Sequence, residues 1–279
     1  MNVPGPPDFI RPAQATDVPE TAADLLHALA TDPEGVFAAG REGTAVLGLA
    51  AGAVRADVLS VVHLEVARAA RGKGAGAALW AAVWSYGASR GARTVEFLQP
   101  ADEATLGFLL GMGLPVRGVA LRLRASSPRL PAASQLLLTP MPQGAPLTGW
   151  VADLDRETRG FPRSADWSFW ARRGSELFAA RRRGRPVAIG ALTLTPKHAA
   201  LGPIASATPE TASELLLALA GEAIRRKAVR MEVTLPSEAR LLLAAALRAG
   251  FRLVGSFPLL GGRSRGDLRK YAASPTAFF

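Results

Sequence analysis

The sequence predicts an α+β fold laid down twice in tandem along 279 residues. Three observations predict it. Stretches rich in β-branched residues alternate with stretches rich in helix formers. A strand–proline–helix–glycine–strand pattern occurs twice, about 136 residues apart, near half the chain. The length also exceeds that of a usual single domain.

Taken in order, Val58-Leu59-Ser60-Val61-Val62-His63-Leu64-Glu65 reads as a strand, being apolar and β-branched. The run Val66-Ala67-Arg68-Ala69-Ala70-Arg71-Gly72-Lys73-Gly74-Ala75-Gly76 follows as a loop. Ala77-Ala78-Leu79-Trp80-Ala81-Ala82-Val83-Trp84 then reads as a helix. Its two tryptophans, one turn apart, suit core packing. Next comes the repeated pattern. Val95–Pro100 leads through Asp102-Glu103 to Gly113, and Met231–Pro236 leads through Ser237-Glu238 to Gly250. Asp102 and Ser237 suit the N-cap, and Gly113 and Gly250 the left-handed stop. Between the copies, Ser126–Ala133 is punctuated by proline and reads as a linker. The expected domains are therefore 1–125, a linker at 126–133, and 134–279. In the second domain Gln135–Thr139 reads as the opening strand, with helices near 148–160 and 164–173. Glu176–Arg182 and Pro186–Thr195 form a hairpin turning at Arg183-Gly184-Arg185. Thr208-Pro209 starts a helix, with Thr at the cap and Pro in the first turn.

The loop at 66–76 carries the chemistry. Three glycines in five residues let the backbone approach a ligand with no Cβ in the way. The free N–H groups and positive dipole end of the following helix favour a phosphate, and Arg71 and Lys73 add charge. A Walker loop would need Lys-Ser/Thr after its last glycine, and alanines stand there instead; a dinucleotide fingerprint would need a different glycine spacing. Arg71-x-x-Gly74-x-Gly76, after a strand ending Leu64-x-Val66, resembles the acyl-coenzyme A loop of the GNAT N-acetyltransferase family. Phe9–Ala13 resembles that family's opening strand, and Val95–Leu98 with the helix ending at Gly113-Leu114 its closing half. The likeness covers about residues 8–124. It implies two tandem GNAT-type domains, each a mixed, mostly antiparallel central sheet flanked by helices, with acetyl-CoA as co-substrate.

By this resemblance Leu64, Val66, Arg71, Gly72, Lys73, Gly74, Ala75, Gly76 and Ala77 bind the coenzyme, and the Val66 N–H receives the developing oxyanion. Glu65 is the carboxylate best placed to take the proton of the amine. His63, on the same strand face by period-two alternation, is the reserve. One position departs from the family. The tyrosine usually found four residues before the helix-ending glycine is Leu109 here, which weakens the enzymatic reading and favours a catalytically silent acyl-CoA-binding or regulatory protein as the alternative. The second copy has no glycine cluster. Its helix start, Ala207-Thr208-Pro209-Glu210, loses a donor at Pro209 and carries an anion at Glu210, so only the first domain is expected to bind coenzyme. Gly261–Gly266 opens no helix and reads as a turn or loop. An aromatic cluster with interleaved positive charge (Phe161, Trp167, Phe169, Trp170, Arg159, Arg163) reads either as core or as the lining of an acceptor pocket.

Composition sets the remaining bounds. With no cysteine there is neither disulfide nor thiolate chemistry, and three distant histidines show no metal spacing, so no metal is expected. No apolar run is long enough to span a bilayer, and Met1–Pro7 lacks a signal-peptide pattern, so a cytoplasmic protein without a membrane partner is expected. The net charge of +10 is uneven: residues 1–124 hold 11 Lys+Arg and 12 Asp+Glu, residues 125–279 the other 22 and 11. Such an excess reads as a solvated face or as one that attracts an acidic substrate, an RNA or a membrane surface, and the expected acceptor is a small-molecule or peptide amine. No nucleic-acid motif accompanies it. Monomer and homodimer are both left open.

Overall fold

The computed structural model describes residues 10–12, 29, 35–42, 45–98, 100–126, 128–130, 136–142, 144, 147, 149–262 and 266–274. Met1–Phe9, Ala13, Gln99, Ser127, Pro131–Gln135 and Arg263–Arg265, named in the sequence reading, lie outside them. The chain divides into two compact units, residues 1–117 with 259–262, and residues 118–258 with 263–279.

The first unit contains β1 (Ile10–Pro12), β2 (Gly35–Glu42), β3 (Ala45–Arg55), β4 (Val58–Val66), α1 (Ala75–Ser89), β5 (Thr94–Phe97) and α2 (Glu103–Gly111). Strands β1 to β4 form an antiparallel meander, and β4 pairs β5 in parallel. A parallel pair needs a crossover, and α1 provides it. Alternate residues of β4 and β5 (Leu59, Val61, Phe97) meet Leu79 and Val83 of α1 and Leu109 of α2 in one apolar core. Asp102 caps α2 by accepting the Thr105 N–H at 2.8 Å, as its position predicts. Gly113 stops the helix with φ 84°.

The second unit repeats the scheme with β6 (Val116–Ala125, from Gly118 on), β7 (Leu137–Pro140), α3 (Trp150–Arg159), α4 (Ser164–Arg172), β8 (Ser175–Arg182), β9 (Arg185–Thr195), β10 (His198–Ser206), α5 (Pro209–Arg225), β11 (Arg230–Pro236), α6 (Arg240–Arg248), β12 (Arg252–Gly261, up to Pro258) and β13 (Tyr271–Ala272). Strands β7 to β10 are an antiparallel meander, including the predicted β8–β9 hairpin; β10 pairs β11 in parallel. Thr208 caps α5 through the Thr211 N–H at 3.1 Å, and Leu215, Leu216 and Leu219 fill the core beneath.

Three expectations are corrected. Gly118–Ala125, read as the end of the first domain, belongs to the second unit, because Ala120–Ala125 pair antiparallel with β11. Conversely Leu259–Gly262 belongs to the first unit, where Leu260 pairs Phe97 of β5. Ser237 does not cap α6, which starts at Arg240 behind Ala239. Its N–H instead extends the β11–β6 ladder by donating to Val119 O at 2.8 Å.

The aromatic cluster of the second unit is core. Asp155, fully buried, accepts from Arg163 Nη2 (2.9 Å), the Arg163 backbone N–H (2.9 Å) and Trp167 Nε1 (2.9 Å). Arg163 Nη1 donates to the Tyr271 hydroxyl at 2.9 Å, and the guanidinium lies over the rings of Trp170 and Tyr271. Burial alone would lower the Arg163 pKa, but Asp155 overrides it and the net shift is upward. A buried pair deprived of one partner leaves an uncompensated charge. Asp155→Ala is therefore expected to destabilise the second unit by about 3–5 kcal/mol, read as a lower urea midpoint. An unchanged midpoint would show that Arg163 finds compensation elsewhere.

Candidate functional site

The site of the first unit begins where a strand pair comes apart. β4 and β5 pair from Val58↔Thr94 to Val61↔Phe97, and there β5 ends. β4 runs on to Val66, held only by β3, after a register shift next to Val62. The Ala67 N–H donates to Leu47 O at 2.8 Å. In an antiparallel ladder bonded residues alternate, so Glu65 and His63 also bond β3 while the amides of Leu64 and Val66 face the gap left by β5. Val66 O is taken by Arg71 Nε at 3.1 Å.

The loop after β4 turns through a short 3-10 segment (Arg68–Ala70) and two left-handed glycines, Gly72 (φ 75°) and Gly74 (φ 83°). Glycine adopts these values without strain, and both positions face open space. Gly74 begins α1 with no side chain capping it, and the first intrahelical bond is Ala78 N–H to Gly74 O. The N–H groups of Ala75, Gly76 and Ala77 therefore have no carbonyl within the helix. Gly76 lies over Val66 and the ring of Phe108, which a Cβ would meet at 3.5 and 3.8 Å. Bare donors at a helix start favour an anion.

Arg71 acts mainly as a brace. Besides Val66 O, it reaches the Asp102 carboxylate at 3.1 Å, tying the loop to the cap of α2. The Thr105 contacts, with Arg71 contributing less, hold Asp102 below the usual carboxylate range. Sequence reading gave Asp102 only its capping role; its pairing with Arg71 joins positions 31 apart and carries no local signal. Lys73 stands exposed at the loop tip.

Glu65 projects into solvent, its side chain 62% exposed, while His63 on the same face is 21% exposed. The two are in contact, His63 Nε2 to Glu65 Oε2 at 3.5 Å, as the alternation predicts. Burial lowers the His63 pKa below its ordinary value, with Glu65 partly opposing. Also unforeseen is the buried set on neighbouring strands: Ser60 Oγ donates to Glu96 at 2.6 Å, and Arg117 lies 3.5 Å from the same carboxylate. Leu109 is fully buried in the core.

In the second unit the equivalent split is closed. β10 and β11 pair only from His198↔Arg230 to Ala200↔Glu232. Beyond that β13 enters, pairing Ile204↔Ala272 and Ala205↔Tyr271, and the Ala273 N–H donates to Thr234 O at 2.9 Å. The chain itself occupies the cleft, and Thr208 and Pro209 remove two of the free donors at the helix start. Among the described residues no group of three His, Asp or Glu side chains is placed to hold a metal, and no helix is long and apolar enough to cross a membrane.

A splayed parallel pair, a glycine loop and a bare helix start define a fold built for acyl transfer. Family models agree: the Acetyltransferase (GNAT) family matches residues 7–113 and the Acetyltransferase (GNAT) domain residues 151–261. The chain belongs to the GNAT acetyltransferase family, as a tandem of two domains. None of the curated proteins matches it in sequence. Among solved structures, a candidate acetyltransferase from Pyrococcus horikoshii has a TM-score of 0.76 at 16% identity, over 97% of this chain and 95% of that one. A tandem GNAT protein from the clavulanic acid biosynthesis pathway has a TM-score of 0.58 at 17% identity, over 92% and 98%. A GCN5-related N-acetyltransferase from Sphaerobacter thermophilus has 0.60 at 17%, over 93% and 97%. At these identities the likeness is one of fold.

The plug of the second unit rests on a close approach. Gly202 (φ 129°) lies under Ala273, whose carbonyl oxygen would be 2.5 Å from an added Cβ. Gly202→Ala is expected to lift the segment and raise amide hydrogen exchange at Ala272 and Ala273. Unchanged protection there would mean that β10 shifts instead.

Proposed function

We propose that the protein is an N-acetyltransferase whose first unit binds acetyl-CoA and moves the acetyl group to an amine. The observation that carries this reading is the gap beyond Val61↔Phe97, floored by free backbone donors and ending at the bare start of α1. The Leu64 and Val66 amides face the pantetheine arm and thioester, and the N–H groups of Ala75, Gly76 and Ala77 face the pyrophosphate. Arg71 holds the loop in shape and Lys73 adds charge. As the amine nitrogen attacks the carbonyl carbon, negative charge grows on oxygen, and a fixed N–H at Val66 lowers the barrier without reorganising. Glu65, exposed beside the gap, removes the proton that the amine must lose.

With Leu109 buried in the core, no side chain at the family's tyrosine position meets the departing sulfur. A thiol of pKa about 8.5 leaves tolerably as thiolate, so turnover does not require that group. The second reading, a silent acyl-CoA-binding or regulatory protein, draws its support from the same residue. The acceptor we infer is a small-molecule or peptide amine with acidic character, drawn by the basic excess of residues 125–279, in a cytoplasmic setting.

Calorimetry with acetyl-CoA should give one site per chain, because the second cleft is filled. Gly74→Asp, which sets a carboxylate against the pyrophosphate, should abolish that binding. Two sites, or full affinity in a folded Gly74→Asp protein, would overturn the assignment. Glu65→Gln keeps shape and removes proton affinity, so turnover should fall about 10²-fold, with a smaller loss at high pH where the amine arrives deprotonated. An unchanged rate at every pH would remove Glu65 from the mechanism. A wild-type chain that binds acetyl-CoA and acetylates no member of a broad amine panel would favour the silent reading.

A further inference from the structure

The pair on the exposed face of β4 does more than supply one carboxylate. His63 Nε2 is buried and makes no hydrogen bond among the described residues, yet it stands 3.5 Å from Glu65 Oε2. A buried ring nitrogen with no partner except a solvent-facing carboxylate is an arrangement that needs a reason. We propose that His63 is a positioning residue that works through Glu65, holding the carboxylate toward the acceptor and storing, by way of that carboxylate, the proton the amine releases. This rests on the acetyl-transfer reading above and adds to it.

A lone carboxylate ordinarily titrates near ~4.3 and an imidazole near ~6.5. A general base works best when its proton affinity lies near the working pH. Beside an imidazole, Glu65 can hand the proton on to a ring nitrogen. Burial lowers His63, so the ring waits neutral and able to accept, and the anion of Glu65 stabilises the imidazolium once formed. The surroundings leave Glu65 as the partner. On β3, Ala51 and Leu49 stand opposite His63 and Glu65, and both are apolar. On β5, Glu96 stands opposite Ser60 and is engaged by Ser60 and Arg117.

The balance is complete. The acceptor ammonium gives one proton to Glu65, which relays it to His63 Nε2. The freed lone pair forms the C–N bond, and the C–S bond breaks with its electrons on sulfur. The second N–H proton, lost as the amide forms, goes to the thiolate. The proton on His63 returns to solvent through Glu65.

Two measurements on the full chain test this. The first needs no acceptor. His63 is followed by the nitrogen shifts of its imidazole through a pH titration, assigned by its loss in His63→Gln. Its midpoint should lie below 6.5 in the wild type and fall further in Glu65→Gln, because the carboxylate no longer favours the charged ring. Equal midpoints in the two proteins would overturn the proposal. The second follows coenzyme A thiol release with acetyl-CoA and the dipeptide Gly-Glu, an acidic peptide with a free amino terminus. His63→Gln should lower kcat about tenfold near pH 7 with KM for acetyl-CoA unchanged, and move the acid limb of the profile downward. A His63→Gln profile that superimposes on the wild type would overturn the relay even if Glu65→Gln is impaired. Coupled midpoints in a protein that acetylates neither Gly-Glu nor any amine of a broad panel would overturn the acetyl-transfer reading, and the relay with it.

Discussion

A parallel strand pair that parts before its ends leaves a row of backbone donors and acceptors facing nothing, and something must satisfy them. Most of this chain can be understood from that constraint. In the first unit β4 and β5 part after Val61↔Phe97, and the amides of Leu64 and Val66 face the gap. In the second unit β10 and β11 part after Ala200↔Glu232, and the chain answers with its own backbone, β13. The same fold therefore yields an open cleft and a filled one. The difference lies in one short segment near the end of the chain, not in the sheet.

The helix starts at the two clefts follow the same division. Gly74 offers α1 no side chain, so its first-turn N–H groups go without a side-chain cap. Thr208 satisfies the Thr211 N–H internally and Pro209 deletes another donor. Capping such a helix start stabilises it by about 1 kcal/mol. Tyr271 joins the two aspects, since it lies in the plug and also bonds Arg163, whose partner Asp155 ties α3 to α4.

Much of this was legible in the sequence because it depends on local rules. The glycine loop, the β8–β9 hairpin, the caps at Asp102 and Thr208 and the stop at Gly113 each rest on residues within a few positions of one another. His63 and Glu65 were legible as sharing a face, since alternation survives from 63 to 65 on one side of the register shift. What escaped is non-local. Nothing near Gly118–Ala125 says that it pairs with β11, and nothing near Tyr271 says that it enters the β10–β11 cleft. Ser237 shows the conflict directly: its side chain suits a helix cap, but a ladder bond to Val119 wins and the helix starts three residues later.

The exchange of strand segments makes the first unit depend on residues far away in sequence. The first unit's sheet needs Leu259–Gly261 to cover β5; without it, Thr94–Phe97 would be an edge with unpaired groups. Leu260 belongs to the first unit's own core beside Leu59 and Phe97, and Gly262 O accepts from Arg117, which pairs with buried Glu96. Removing those residues would open the core and loosen the partner of a buried carboxylate, both costly. The first unit therefore cannot be cut free at the linker, whatever the second copy does chemically.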